Sequence, residues 1–385
     1  MKKTFNILLI CGLSALALVS CTKNNPMSDE SKKREETFQK ISETFLEKTV
    51  YPTYSNLADK TEELVDDLTQ LKSSRNQTDL DKACKTFLTA RAEWELSEAF
   101  LVGAATDFGI DPHIDSWPLD EDSFNDLMAS PNLLKNLEGE GGAEYAGAKL
   151  GNELLGFHGI EFILFEDGQP KNISKISDSH LTYATAVAGD LMNRTAQLDV
   201  AWRGESAPAE RRELMEELEL PVTISGSNHS YGENLLLAGE AGSLLKSKTH
   251  AMQYILSACS NIVDEVGTSK IGKAHNGEDV SYIESPYSQN SITDFYDNLI
   301  SVANVYYGGR SDIRNTQNSL QHYFKENDPE IEAEFTSALT NALEKVKAMK
   351  APFVKNFTDK SAKEAIEACV RLNEAIENAK TSIAQ

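Results

Sequence analysis

The sequence predicts an all-α protein built from two helical bundles packed together. Apolar residues recur at spacings of three and four, the period of a helix face that is buried in a bundle. The clearest such run is Tyr54, Leu57, Thr61, Leu64, Leu68 and Leu71, and a second is Ile292, Phe295, Leu299, Val302 and Tyr306. No run of alternating apolar and polar residues indicates a strand.

Residues at the expected helix ends agree with this interpretation. Asp328-Pro329 combines an N-cap residue with a proline at the first helical position. Gly308-Gly309, which follows Tyr307, is typical of a left-handed C-terminal cap. Residues 103–123 contain two prolines and many aspartates, and we expect an ordered loop there.

The length of 385 residues is sufficient for two domains of ordinary size. The segment 204–234 interrupts the helical pattern with Pro208, Pro221, Gly226 and Gly232, and is the candidate boundary. We therefore expect a signal peptide over 1–20, a tether over 21–34, an N-terminal bundle over 35–225 and a C-terminal bundle over 226–385.

The N-terminus has the features of an export signal. Lys2 and Lys3 precede an apolar stretch of about 12 residues, which is too short to cross a bilayer core of about 30 Å as a helix. The following Leu-Val-Ser-Cys, ending at Cys21, resembles a bacterial lipobox. This pattern predicts a lipid on Cys21 and a cell-envelope location, most simply the periplasmic or surface face of the outer membrane. The alternative is an ordinary secretory peptide cleaved nearby.

Charge and cysteine content restrict the class of partner. The chain has 37 Lys and Arg against 60 Asp and Glu, a net charge of −23. This balance argues against binding to nucleic acid, which needs clustered basic residues, and against electrostatic docking on anionic lipid. Cys84, Cys259 and Cys369 each fall on an apolar stripe, and we expect them to be buried free thiols.

Ionisable residues on two apolar stripes indicate a polar site inside the protein. A helix over about 79–103 would place Leu80, Cys84, Phe87, Arg91, Trp94, Glu98 and Leu101 on one face. Arg91 and Glu98 then occupy core positions. The segment 150–165 is apolar nearly all round and predicts a fully buried helix that carries His158 and Glu161, three residues apart.

Buried ionisable groups require partners, so two interpretations are open at this point. One is a polar network that only fixes how the helices pack. The other is a metal or small-ligand site, since imidazole and carboxylate together suit zinc or iron. Known motifs do not decide between them. A zincin motif would need Glu and His where Gly159 and Phe162 stand, and a di-iron bundle would need two Glu-x-x-His units.

The segment Gly156-Phe157-His158-Gly159-Ile160-Glu161 matches the GxHxxE motif of the imelysin family, also classified as peptidase family M75. Further blocks resemble that family in the same order along the chain: 94–99, 115–119, 284–288 and 291–308. The resemblance implies an all-helical, two-domain protein of the bacterial envelope with a role in iron acquisition. It also implies that Gly156, His158 and Glu161 are the motif positions.

Three functional hypotheses follow. The preferred one is a binding lipoprotein that captures iron or an iron-bearing ligand around His158 and Glu161. The second is an M75-type metallopeptidase in which Glu161 or Glu98 acts as general base toward a metal-bound water. The third is a structural module without chemistry. We take His158 and Glu161 as candidate ligands for iron or zinc. The candidate ligand-binding residues are Arg91, Trp94, Glu98, Asp115, Ser116, Trp117 and Gly156.

The two apolar stripes also predict how these side chains are arranged in space. We expect His158 and Glu161 to meet Arg91 and Glu98, with the loop of Asp115, Ser116 and Trp117 as a lid. Glu161 would be neutralised by Arg91 or by protonated His158. Further expectations are a matching site formed by Asp294, Tyr306 and Arg310, a solvated His113, and core positions for Trp94 and Trp202.

Overall fold

The computed structural model describes residues 29–139 and 141–385. The predicted signal peptide, Cys21 and the tether up to residue 28 lie outside the described residues. Within the described ranges, no helix is both long enough and apolar enough to cross a bilayer.

The described chain is mainly helical, with a single two-stranded hairpin among the described residues, which confirms the all-α prediction. In its first part the α-helices are α1 (Asp29–Phe45), α2 (Tyr51–Ser74), α3 (Gln77–Glu95), α4 (Ala104–Asp107), α5 (Asp111–Ile114), α6 (Glu121–Met128), α7 (Pro131–Asn136), α8 (Gly142–Lys149), α9 (Gly156–Leu164) and α10 (Asp178–Arg203). They are followed by α11 (Ala209–Glu217), α12 (Tyr231–Leu236), α13 (Lys248–Glu265), α14 (Gly272–His275), α15 (Ser291–Tyr307), α16 (Leu320–Asn327), α17 (Pro329–Lys347), α18 (Phe353–Asn356) and α19 (Lys360–Ala384).

Shorter elements connect these helices. Two π-helical segments lie at Leu46–Val50 and Val266–Ile271, and 3₁₀ turns at Glu98–Phe100, Asn152–Leu154, Ile173–Lys175, Gly204–Ser206, Val280–Tyr282 and Thr316–Asn318. The strands β1 (Phe165–Glu166) and β2 (Gln169–Pro170) pair antiparallel in a minimal hairpin.

The first group of long helices is α2, α3 and α10, which pack along one another, with α8 and α9 against α10. The predicted stripe of α2 is completely buried from Tyr54 to Leu71. Asn76 begins α3, since its side chain accepts a hydrogen bond from the Asp79 amide at 2.9 Å. Ser177 and His180 form a capping box that begins α10.

The second group consists of α13, α15, α17 and α19, which pack on one another. Both helix ends predicted here are confirmed. Asp328 caps α17, whose first residue is Pro329. Gly308 ends α15 with a left-handed backbone at φ +84°, a conformation that costs glycine no steric energy.

The two groups share one hydrophobic core. Helix α3 packs against α15, and the buried apolar side chains form a continuous cluster from Phe38 to Ile383. Helix α1 packs on α13 of the second group although it is at the start of the chain. The boundary between 225 and 226 stays a prediction.

Cys84, Cys259 and Cys369 are buried free thiols, as expected. Two helix lengths were predicted wrongly. The helix that carries Arg91 ends at Glu95, because the chain tightens into a turn in which the Ser97 amide donates to the Trp94 carbonyl at 2.8 Å. Glu98 therefore lies on a 3₁₀ turn. The helix expected over 150–165 covers only Gly156–Leu164.

Candidate functional site

Helix α9 begins at Gly156, and this residue lies directly against another segment of backbone. Its φ is +65°, and a Cβ there would come within 1.8 Å of the Ile114 carbonyl oxygen. One turn later, a Cβ on Gly159 would lie 2.2 Å from the Tyr183 hydroxyl, which donates to the Leu154 carbonyl at 2.7 Å. The two glycines thus allow α9 to pack closely against α5 and α10, and this packing fixes the position of His158.

His158 is held by a carboxylate on each side of its ring. Its Nε2 lies 2.9 Å from Asp115 Oδ1, and its Nδ1 lies 3.5 Å from Glu161 Oε2. Burial lowers the pKa of His158, but the hydrogen bond to Asp115 and the contact with Glu161 outweigh that effect and raise the pKa to about 9. His158 is therefore an imidazolium at neutral pH in this arrangement, with each ring nitrogen facing a carboxylate.

Asp115 is the point at which several predicted residues meet. It pairs with the Arg91 guanidinium, and its Oδ2 accepts from Trp94 Nε1 at 2.8 Å. Burial alone would raise the pKa of Asp115, but Arg91 and the hydrogen bond from His158 hold it well below its usual range. Asp115 is thus a buried, fully ionised carboxylate with three donors.

The polar network continues from Arg91 into the second group of helices. Arg91 also pairs with Glu95 and Glu284, and its Nε lies 3.9 Å from Asp294 Oδ2. Lys270 is the second buried cation. Its Nζ lies 3.1 Å from Glu284, 3.5 Å from Glu98 and 3.8 Å from Glu95.

We refer to these side chains as the ionic cluster: Arg91, Glu95, Glu98, Asp115, His158, Glu161, Lys270, Glu284 and Asp294. All of them are less than a tenth exposed. The carboxylates outnumber the cations, even with His158 counted as charged. Burial accordingly raises the pKa of Glu95 and of Glu98 well above the usual range, against the opposing effect of Arg91 or Lys270. Glu284 Oε2 is buried with no hydrogen-bond partner among the described residues.

An open cleft of about 380 Å³ leads from the surface to this cluster. It is lined by Glu98, Leu101, Val102, Asp111, Pro112, Asp115, Ser116, Trp117, Ala258, Asn261, Ile262, Glu265 and Tyr282. Trp117 and Tyr282 face each other with ring centroids 5.0 Å apart, and Trp117 Nε1 donates to the Tyr282 carbonyl at 3.2 Å. The Trp117 ring lies 5.7 Å from that of His158, so it covers the histidine as the predicted lid would.

The structure brings the predicted residues together around Asp115, with two qualifications. Ser116 lines the cleft but its hydroxyl donates to the Pro112 carbonyl at 2.6 Å. Glu161 has no contact with Arg91 within ion-pair distance. Instead, its Oε1 accepts from the amide and hydroxyl of Ser288 at 2.7 and 2.6 Å.

The expected matching site in the second half does not form. Asp294 belongs to the ionic cluster, Tyr306 stacks on Phe335 at 3.9 Å, and Arg310 pairs with Glu93 at 2.6 Å. His113 is not solvated, since its ring nitrogen lies 2.8 Å from Asp190. Trp94 and Trp202 are core residues, as expected.

Glu95, Lys270 and Glu284 were not among the predicted site residues. Glu284 opens the block 284–288 that resembles the family, so that signal was present in the sequence. Glu95 lies off the apolar stripe of α3. Lys270 lies in a π-helical segment, where the helical period from which a buried face is inferred does not hold.

Two sets of side chains are placed so that they could hold a cation. The potential ligand atoms of Asp115, His158 and Glu284 lie within 4.8 Å of one another, and so do those of Glu95, Glu98 and Asp115. Carboxylate oxygens with one imidazole form a donor set that suits zinc or iron. Glu161 belongs to neither set, and its predicted role as a metal ligand stays a prediction.

Comparison with known proteins gives a consistent result. The chain is 24% identical over 322 residues to "Iron-regulated protein A" of Synechococcus elongatus, covering 84% of this chain and 79% of that protein. A crystal structure of an iron-regulated protein A precursor from Parabacteroides distasonis superposes with a TM-score of 0.76 at 26% identity, over 91% of this chain and 95% of the other. An imelysin-like protein from Psychrobacter arcticum shares the fold, with a TM-score of 0.59 at 13% identity over 89% and 93% of the two chains. The model of the imelysin family, peptidase family M75, matches residues 50–379, and the chain therefore belongs to the imelysin family.

Proposed function

We propose that this imelysin-family protein binds iron, as an ion or within a small ligand, in the cleft that ends on the ionic cluster. The observation that carries the proposal is the excess of carboxylates in the cluster, two of which, Glu98 and Asp115, also line the cleft. Buried carboxylates without a matching cation are costly, and a bound cation relieves that cost. The names of the two iron-regulated relatives support iron as the metal.

In this proposal His158 and Glu161 lie behind the side chains that line the cleft and help to hold them in position. His158 donates to Asp115, which lines the cleft, whereas neither motif residue lines the cleft itself. Partners of this kind orient metal ligands in many proteins, and their loss weakens metal binding. Direct ligation by His158 requires loss of its Nε2 proton and of the hydrogen bond to Asp115.

Iron binding is tested by measuring the metal that the purified protein retains. The protein is loaded with Fe²⁺ without oxygen, dialysed, and assayed for iron per chain by mass spectrometry. We expect stoichiometric iron in the wild type and strong loss in Asp115→Asn and His158→Ala. The exposed substitution Asp120→Asn serves as control. No retained iron in the wild type would contradict the proposal.

The metallopeptidase hypothesis has less support from the geometry. Glu161, the motif carboxylate, is engaged by Ser288 and has no access to the cleft. Cleavage of a protein substrate such as casein, abolished by a chelator and by Glu98→Gln, would favour the peptidase over the binding protein.

We also propose that the mature protein is attached to the cell envelope by lipid on Cys21. The support is the lipobox-like sequence that ends at that residue. Metabolic labelling with a radioactive fatty acid tests this attachment. We expect label in the wild type and none in Cys21→Ser.

A further inference from the structure

Lys270 lies inside the ionic cluster as a resident cation. It is 1% exposed, and its Nζ lies 3.1 Å from Glu284, 3.5 Å from Glu98 and 3.8 Å from Glu95. No other lysine among the described residues is buried. It is part of the π-helical segment Val266–Ile271, a geometry that is uncommon and frequently occurs at functional sites. An ammonium in this position has lost its hydration, so it depends on the surrounding carboxylates.

The carboxylates around Lys270 are the same ones that could hold a metal ion. Glu284 belongs to one of the two candidate ligand sets described above, and Glu95 and Glu98 belong to the other. In each set the potential ligand atoms lie within 4.8 Å of one another. An ion held by either set must therefore share carboxylates with the ammonium. Two cations at such distances repel each other strongly in a buried site, so an ion at either set disfavours the ammonium beside it.

One carboxylate of the cluster has an oxygen that the ammonium does not satisfy. Glu284 is completely buried, and its Oε1 contacts both Lys270 and Arg91. Its Oε2 has no hydrogen-bond partner among the described residues. A buried oxygen without a donor costs free energy. A metal ion ligated by that oxygen removes the cost, whereas a lysine that holds only the neighbouring oxygen does not.

The side chain of Lys270 lies directly behind the lining of the cleft. Its Nζ is 3.5 Å from Glu98 and 5.2 Å from the centroid of the Trp117 ring, and both of these residues line the cleft. Asp111 and Glu265 also line the cleft, and neither forms an ion pair with a described residue. An ammonium displaced from the cluster therefore has carboxylate partners in the cleft.

From these observations we infer that Lys270 is a built-in counterion that competes with iron for the same carboxylates, so that the site takes up an iron ion only as the ammonium moves out into the cleft. This inference rests on the proposed function and names what regulates that same site. The ammonium compensates the buried carboxylates when no ion is bound, and its return to them favours release of the ion.

Fe²⁺ binding under nitrogen tests the competition. Fe²⁺ is titrated calorimetrically into the wild type, Lys270→Gln and the control Lys273→Gln. Glutamine removes the charge but still donates hydrogen bonds, so the buried carboxylates keep a polar partner. Lys273 lies over the Tyr282 ring at 3.5 Å and forms no ion pair with the ionic cluster, so its substitution removes the same charge nearby. Circular dichroism confirms that each variant is folded.

We expect Lys270→Gln to bind Fe²⁺ about tenfold more tightly than the wild type, or more, because the competing charge is gone. The affinity of Lys273→Gln should change by less than about twofold, since this lysine shares no carboxylate with the ion. Unchanged or weaker binding by Lys270→Gln would overturn the inference, because a lysine that only stabilises the fold gives that result. An equal gain in Lys273→Gln would overturn it as well, since net charge alone would then explain both.

A measurement on the wild type covers the case in which Lys270→Gln does not fold. Acetylation by an N-hydroxysuccinimide ester, followed by mass spectrometry, compares the reactivity of Lys270 with and without Fe²⁺. We expect Lys270 to react little without the ion and several times more with it, whereas the exposed Lys246 should react equally in both conditions. Protection of Lys270 that Fe²⁺ does not change would overturn the displacement.

The outcomes separate this inference from the function on which it rests. Absence of Fe²⁺ binding by both the wild type and Lys270→Gln would overturn both. Fe²⁺ binding by the wild type that is lost in Asp115→Asn but not strengthened in Lys270→Gln would overturn the competition and leave the proposed function in place.

Discussion

His158 Nε2 lies 2.9 Å from Asp115 Oδ1, and both side chains are at most 5% exposed. The contact links the family motif on α9 to the carboxylate that lines the cleft. Asp115 also pairs with Arg91 and accepts a hydrogen bond from Trp94. The histidine is therefore one of three groups that determine where this carboxylate points.

Removal of the histidine should therefore destabilise the protein as well as alter the site. We expect His158→Ala to lower the free energy of unfolding by about 3 kcal/mol or more, as for other buried pairs that lose one partner. Urea unfolding followed by circular dichroism measures this loss. The control is His322→Ala on α16, which removes an imidazole that has no hydrogen bond to the described residues. Equal losses in the two variants would contradict the role given to His158.

The motif glycine should resist substitution for a steric reason. Gly156→Ala places a Cβ within 1.8 Å of the Ile114 carbonyl, so α9 or α5 must move. The matched control is Gly109→Ala, which has nearly the same φ of +63° but no atom within 4 Å of the added Cβ. Left-handed backbone alone costs an alanine about 1–2 kcal/mol. We expect Gly109→Ala to lose about that amount by urea unfolding and Gly156→Ala to lose clearly more.

Arg91 should be essential for stability because it pairs with carboxylates from distant parts of the chain. Arg91→Met leaves Asp115 and Glu284 without their guanidinium and should cost about 3–5 kcal/mol. Arg91→Lys keeps the charge but lacks the planar, five-donor guanidinium, so its stability should lie between that of the wild type and that of Arg91→Met. The pair of half-buried Arg212 and exposed Glu205 provides the control, since Arg212→Met should cost less than about 1 kcal/mol. Chemical denaturation measures the loss of unfolding free energy in each of the three variants. An Arg91→Met variant as stable as the wild type would disprove the prediction.

Asp297 should make stability depend on pH. Burial, with the charges of Asp294 and Glu93, raises its pKa from 3.8 to about 7. The folded protein therefore holds this proton more tightly than the unfolded chain. The stabilisation is complete below the unfolded pKa and is lost as pH rises through about 7.

Asp297→Asn removes this dependence. We expect the variant to melt at a higher temperature than the wild type at pH 8, with the difference vanishing near pH 4. Substitution of the exposed Asp312 by Asn should cause no such pH-dependent difference in melting temperature. A melting temperature for Asp297→Asn that is unchanged or lower at pH 8 would show that ionised Asp297 does not destabilise the folded state.

The helical period was sufficient to predict the fold class and the burial of Arg91, Glu98, His158 and Glu161. Arg91, His158 and Glu161 occupy positions where the helical pattern expects an apolar residue, so the pattern itself marks them. Glu98 was placed by the same period although it lies on a 3₁₀ turn beyond the end of α3. Family blocks supplied Asp115 and Trp117, which lie on irregular chain where no period exists. Neither the helical period nor a family block marked Lys270. Its burial depends on carboxylates from α3 and from the loop before α15, and only the folded chain brings them together.

The pairing of Arg91 with Glu284 spans 193 residues of sequence. A ribosome that adds roughly 5–20 residues per second incorporates Glu284 roughly 10–40 s after Arg91. For most of that interval the nascent chain carries Arg91 and Asp115 but neither Lys270 nor Glu284, so the emerging N-terminal helices lack these partners for their buried charges. The export predicted from the N-terminal sequence would avoid this problem if it precedes folding, because both partners would then be present when the interior forms.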